Sequence, residues 1–221
     1  RTALDLKNMP PDRVRKCFNV CLMRTVLELG GTPCYPLGDG PAARQTIVCS
    51  RTFGHAVRDF GALREAVSAY VTQAAEKLRA EGALARMVHV FLMTNPFKPE
   101  EPQYVNNAMR TLPVPTAYTP DLLRAAIAGL TEIFRPHFHY KRCGVMLSEL
   151  VPHSPYQTDL FAADPARQER LMATLDRINR DWGRDTLHFA AAGIAREWKM
   201  QQHRLSPRYT TRWDELPVAY T

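Results

Sequence analysis

The sequence lacks most of the features that announce a catalyst. It has no glycine-rich phosphate loop, no Gly-x-Ser-x-Gly elbow and no plausible Ser-His-Asp set, so nucleotide hydrolysis and the common nucleophilic mechanisms find no support. No apolar run approaches the roughly 20 residues of a bilayer-spanning helix, and the first residues do not read as a signal peptide. Cysteine is sparse and unpaired: Cys17, Cys21, Cys34, Cys49 and Cys143 are odd in number and show no CxxC spacing. They read as reduced, mostly buried thiols of a cytosolic protein. Cys17 and Cys21 lie four residues apart, a spacing that suits packing on one helix face better than a redox pair. His137, His139 and Cys143 lack the fourth ligand of a closed zinc site, so no metal site is expected. Carboxylate pairs are also scarce towards the end. Asp214-Glu215 lies close to the last residue, where two-metal chemistry finds no rigid support.

What is present is a chain of 221 residues, 45% hydrophobic and 23% charged, ordinary for a globular protein with a sizeable core. Its 29 Lys and Arg exceed its 22 Asp and Glu, a net charge of +7. That balance favours a polyanionic partner such as nucleic acid. The chain opens on Arg1-Thr2-Ala3-Leu4-Asp5-Leu6, without Met, and reads as a piece of a longer protein.

The pattern predicts helix from residue 1 to about 30, with Val14, Phe18, Cys21, Leu22, Thr25 and Leu29 recurring at helical spacing and Pro10 and Pro11 as start signals. Gly30-Gly31 ends it, and a Pro- and Gly-rich linker spans 33–45. Residues 46–152 read as strand, helix, strand, strand, helix, strand. The strands are Thr46 to Phe53, Arg86 to Thr94, a shorter one around Ala108 to Val114, and Tyr140 to Leu150. The first helix carries Leu63, Val67, Tyr70, Val71, Ala74 and Leu78 inward. The second opens on Thr119 as N-cap and Pro120, with Leu123, Ile127, Leu130 and Phe134 inward. This βαββαβ order predicts an α+β fold, a four-stranded antiparallel sheet with two helices on one face and the other face open. Residues 153–163 form a separate segment. Residues 164–221 are expected to hold a helix capped by Asp164-Pro165, with Leu171, Leu175, Ile178 and Trp182, then Gly183 and a short strand Thr186 to Ala190.

Two stretches carry binding chemistry. Alternation in the last strand sends Cys143, Val145 and Leu147 one way and Arg142, Gly144, Met146 and Ser148 the other. His89 opposes Val88, Val90 and Leu92 in the same manner. With Ser50, Arg51, Arg110 and Lys141 from the strands, the open face is expected to hold duplex DNA by its phosphates without reading bases. The alternative is a solvated polar face. A base-stacking RNA sheet is disfavoured because no strand shows a run of exposed aromatics. The second stretch is Gln157-Thr158-Asp159-Leu160-Phe161, kept from regular structure by Pro152, Pro155 and Asp164-Pro165. A Leu-Phe anchor of this kind fills a partner's pocket. Gln-x-x-Leu-Phe resembles the motif by which bacterial polymerases and repair proteins grip the sliding clamp, assigning Gln157, Asp159, Leu160 and Phe161 to that contact.

Several runs together resemble the C-terminal part of a UmuC-like Y-family translesion DNA polymerase. Thr2 to Leu6, Phe18-Asn19-Val20 and Arg24 to Leu29 are similar to the end of its thumb. Cys49 to Gly54, Ala74 to Arg79 and Gly144 to Leu147 are similar to strands and helix of its little finger. Gln157 to Phe161 falls where its clamp peptide belongs, and Gly183 to Leu187 with Leu205 to Arg212 resemble its C-terminal segment. The resemblance assigns 1–32 to thumb, 46–152 to little finger and 164–221 to the C-terminal segment. It implies error-prone synthesis across damaged template in the SOS response for the parent, and a bacterial, cytoplasmic, nucleoid-associated location. Implied partners are double-stranded DNA, the β clamp, the processed UmuD dimer and RecA. Palm and fingers have no counterpart here, so this chain is expected to be inactive alone and to need no cofactor, Mg2+ belonging to the palm. Thr158 stands where an aliphatic residue is common. A free-standing, non-catalytic clamp-binding adaptor or decoy is the rival reading.

Overall fold

The computed structural model describes residues 2–35, 44–153, 165–200 and 205–217. The chain divides into two compact units, Arg1–Ala43 and Arg44–Thr221. In the first, α1 (Ala3–Lys7) is held by a reciprocal capping box between Thr2 and Asp5, which satisfies two orphan donors of the first turn. The expected continuous helix is instead three short ones. The second, α2, spans Pro11–Cys17, with Pro11 at its first turn, where the missing N–H costs nothing. The break that follows centres on Asn19, whose side chain accepts the Leu22 N–H at 2.8 Å and opens α3 (Val20–Leu29). An Asn that caps one helix cannot continue another. Cys17 and Cys21 therefore sit on different helices, and both are exposed. The expectation of mostly buried cysteines holds only for Cys49 and Cys143.

The second unit is built on β1 (Ile47–Val57), α4 (Phe60–Ala80), β2 (Ala83–Thr94), β3 (Val105–Thr116), α5 (Thr119–Ile133) and β4 (Tyr140–Pro152). The strands form one sheet in the order β1-β4-β2-β3, with every neighbouring pair antiparallel. Each helix therefore carries the chain across one intervening strand, and both helices pack on the same face. This is the α+β architecture expected from the sequence. The core lies between. Val88, Leu92, Val145 and Leu147 from the central strands meet Leu63, Val67, Val71 and Leu78 of α4 and Leu122, Ala126 and Leu130 of α5, and none of these is more than 1% exposed. Each such Leu or Val contributes about 1.5–3 kcal/mol by leaving water.

The third strand is as long as its neighbours, twelve residues, and not the short strand expected. It extends beyond the expected Ala108 to Val114 by Val105 to Asn107 at one end and by Pro115 and Thr116 at the other. Its Pro113 and Pro115 are tolerated because proline belongs on a sheet edge, which is where the strand order puts β3. Thr119 does not cap α5 with its side chain. Tyr118 occupies the cap position without a side-chain bond, and the buried Thr119 hydroxyl instead accepts from Arg79 at 2.9 Å.

Beyond the sheet, α6 (Pro165–Asp181) buries Met172 and Leu175 but leaves Leu171 and Trp182 exposed. Arg79 ties it down: its guanidinium donates to both Asp176 carboxylate oxygens at 2.6 and 2.7 Å and to the Ala117 carbonyl at 3.0 Å. The strand expected at Thr186 to Ala190 is not formed. A 3-10 turn occupies Ala190–Ala192, and an extended segment without a neighbouring strand has no ladder to satisfy its backbone N–H and C=O groups. Further on, Trp198 is 5% exposed and sets its ring edge-on to Tyr70 and Phe53, at 5.6 and 6.3 Å between centroids.

Candidate nucleic-acid interface

Register decides which predicted side chains share the open face. Directly opposed residues of an antiparallel pair project to the same side. Ser50 opposes Gly144, His89 opposes Met146 and Met109, and Phe91 opposes Gly144 and Asn107. Met93 opposes Arg142 and Val105. These residues alternate with the buried Val88, Val90 and Leu92, so they form the face away from the helices. Within this unit no described element packs on it.

Ser50, His89 and Arg142 are brought together on this face. Arg142 is exposed and donates to the Ser50 hydroxyl at 3.0 Å. His89 Nε2 and the Ser148 hydroxyl are 2.7 Å apart. Each pair leaves a polar group with hydrogen-bonding capacity turned outward. Arg142 has no carboxylate partner among the described residues, so its charge is available to an anion.

Arg51 and Arg110 are not on this face, which corrects the expectation. Arg51 opposes Cys143, a fully buried core residue, and therefore projects to the helix side at the β1 edge. It is close enough there to act on the Tyr70 hydroxyl, whose pKa is raised by burial first and eased down by the Arg51 charge. Arg110 opposes Val88 and is paired with Glu132 of α5. Adjacent residues of a strand cannot point the same way, so Ser50 excluded Arg51 from the outset. Lys141 occupies the irregularity where β4 passes Met93 and Thr94. Its ammonium donates to the Phe53 and Gly54 carbonyls at 2.7 and 3.2 Å, tying down the carbonyls left unpaired where β1 bulges.

The sequence reading missed what fills the rest of the face. Phe91 lies across Gly144, where an added Cβ would collide with the Phe91 ring and the Ser50 Cβ. Glycine there lets an aromatic ring rest on the backbone of the neighbouring strand. Around it stand Met87, Met93, Met109 and Met146, with Val48 and Val105 exposed at 49% and 70%. The same alternation that placed His89 outward also placed Met87, Phe91 and Met93 outward. The face is thus largely thioether and aromatic around the Arg142 guanidinium.

The remaining candidates lie elsewhere. Gln157, Asp159, Leu160 and Phe161 fall outside the described residues. His139 faces Glu101 at 3.2 Å, away from the buried Cys143. Asp214 and Glu215 both face Arg212, at 3.3 and 3.2 Å, and so serve an ion pair in the 3-10 turn Trp213–Glu215. Among the described residues no group of three or more His, Cys, Asp or Glu is placed to hold a metal, and no helix is long and apolar enough to cross a membrane.

The sheet, its two helices and the uncovered face define an α+β domain, and its sequence has known relatives. Residues 44–160 match the model of the impB/mucB/samB family C-terminal domain, and the chain belongs to this family. Residues 169–219 match a domain of unknown function, DUF4113. The protein UmuC of Salmonella typhimurium is 43% identical over 98% of this chain. SamB of Salmonella typhimurium is 43% identical and MucB of Escherichia coli 41% identical, each over 99% of this chain. The chain spans about half the length of these curated relatives, 52% in each case. Among solved structures, the complex of a β-clamp processivity factor with the little finger domain of PolIV is 15% identical, with a TM-score of 0.37 over 53% of this chain and 99% of that one. A ternary complex of Dbh DNA polymerase is 12% identical, with a TM-score of 0.41 over 67% of this chain and 40% of that one.

Proposed function

We propose that this chain is the DNA-holding and clamp-recruiting C-terminal region of an error-prone translesion DNA polymerase acting in SOS repair and mutagenesis. The observation that supports it most is the match of residues 44–160 to the C-terminal domain of the impB/mucB/samB family, alongside the 43% identity to UmuC over 98% of the chain. In this reading the open face lies against duplex DNA. Arg142, steadied by Ser50, takes a phosphate, and His89 with Ser148 takes a second contact. Arg51 and Lys141 add positive charge from the β1 side, and Phe91 with its methionines supplies contact area. Phosphate contacts of this kind fix register without reading sequence. Catalysis, with its Mg2+, belongs to the polymerase palm, and this region contributes by positioning. The clamp arm of the proposal assigns Gln157, Asp159, Leu160 and Phe161 to a β-clamp pocket. The processed UmuD dimer and RecA are further partners that the resemblance implies.

The composition of the face sets the expected salt response. Arg142, exposed on the open face and without a carboxylate partner among the described residues, neutralises one phosphate there. It gives a log–log slope of about −1 for duplex affinity against salt, by the rule of about −0.9 per neutralised phosphate. Arg142→Ala should lower affinity and flatten that slope by about 1. Fluorescence anisotropy with a labelled duplex across a salt series reads both. A slope near zero, or an Arg142→Ala chain indistinguishable from the parent, removes DNA holding by this face. For the clamp arm, Leu160→Ala with Phe161→Ala should cost about 2 kcal/mol or more of clamp affinity. Unchanged affinity removes the peptide from the account.

A further inference from the structure

A groove of about 1190 Å³ runs between α6 and the end of the sheet where α4 finishes and β2 begins. Its floor is apolar, formed in part by Ala83, Leu84 and the buried Met172. Arg170, Arg177 and Arg180 of α6 line it, all three exposed. No carboxylate pairs with any of them among the described residues. The carboxylates in the groove have cations of their own. Asp176 is held by Arg79, Glu169 faces His153 at 3.0 Å, and Glu76 lies 4.0 Å from Arg184. The groove therefore has a surplus of positive charge confined to one wall, above an apolar floor.

We propose that this groove docks an extended acidic peptide segment of a protein partner. Carboxylates of the segment pair with Arg170, Arg177 and Arg180, and its apolar side chains settle on the floor. Bidentate guanidinium–carboxylate pairing suits arginine in particular. Ten residues of α-helix separate the first arginine from the last, about 15 Å at 1.5 Å per residue. An extended peptide covers that span in about five residues at roughly 3.3 Å each, enough to place two or three carboxylates among apolar side chains. A nucleic-acid strand fits less well. Its phosphates follow one another without interruption, so some would face Glu76, Glu169 and Asp176, and the like charges would oppose it.

The test uses the 221-residue chain and a fluorescein-labelled peptide of alternating Glu and Leu, followed by anisotropy. Controls are the same peptide with Gln for Glu and a labelled oligo-dT strand. The Glu–Leu peptide should bind saturably and the Gln–Leu peptide about tenfold more weakly or worse. In the R170E/R177E/R180E chain the Glu–Leu affinity should fall about tenfold or more, and a Lys–Leu peptide should gain affinity in exchange. R170Q/R177Q/R180Q, which removes charge without introducing repulsion, should show the loss without the gain. Arg142→Gln, on the far face of the sheet, should leave the peptide affinity within about twofold. Absence of saturable Glu–Leu binding, equal affinity in the charge-reversed chain, or tighter binding of oligo-dT at the same arginines would each overturn the proposal.

Discussion

On the helix-covered face of the sheet, Val88, Val90, Leu92, Val145 and Leu147 are each at most 1% exposed. The two arginines that strand position turns to that side, Arg51 and Arg110, belong to the edge strands β1 and β3, where a long side chain reaches water. The open face is also largely apolar, but of a different kind. Branched aliphatics dominate the covered side. The open side carries four methionines and Phe91, with Arg142 beside them. Branched residues have few rotamers and pack into one arrangement. Thioethers adapt to whatever surface meets them. One face specifies the fold, while the other is suited to accept a partner whose local shape varies, as a duplex of any sequence does.

Substitution of equivalent positions sharpens that contrast. Leu92 is fully buried beneath the helices, and Leu92→Ala should destabilise the second unit by about 3 kcal/mol, within the usual 2–5 for a buried leucine. Val48 lies on the open face and is half exposed, so Val48→Ala should stay within about 0.5 kcal/mol. Urea unfolding of the two variants reads the difference. Equal losses would mean that the open face is covered in the free protein, and the contrast between the faces would fail.

Much of this arrangement was legible in the sequence, and the failures have physical causes. The central strands β2 and β4 alternate cleanly, because one side must pack under two helices, and their alternation placed Arg142, His89 and Ser148 outward. Arg51 was misplaced by grouping it with Ser50, although neighbours in a strand diverge. Arg110 was misplaced because Val-Asn-Asn-Ala-Met-Arg-Thr-Leu-Pro-Val-Pro-Thr gives an edge strand little alternation to read, and only its pairing with Val88 fixes the side. Phe91 was within reach of the same alternation as His89. Its seat on Gly144 was not, because that contact is set by register between strands far apart in sequence. Arg79 and Trp198 were invisible for a similar reason. Each gains its role from a partner, Asp176 or Tyr70, about a hundred residues away or more, and local pattern holds no record of such distances.

The finest test of the two faces uses two neighbouring residues of β1. Cys49 is 3% exposed and belongs to the covered side. Ser50, the next residue, belongs to the open side and is half-buried beside Arg142. Thiol reagents react with the thiolate and need access to it. A Ser50→Cys chain in which Cys17, Cys21 and Cys34 are changed to Ser should be alkylated at position 50 within the time a small exposed thiol takes. The guanidinium of Arg142 favours that thiolate. Cys49 should be alkylated only as the strand opens, and Cys143 likewise, since burial raises its pKa far above the ordinary thiol range. Both buried thiols should then follow the opening equilibrium of the core, so adding Leu92→Ala should quicken them while leaving position 50 unchanged. Mass spectrometry of the labelled peptides resolves the sites. If positions 49 and 50 react at similar rates, the alternation that separates the two faces at the β1 edge does not hold in solution, and the placement of Ser50 beside Arg142 falls with it.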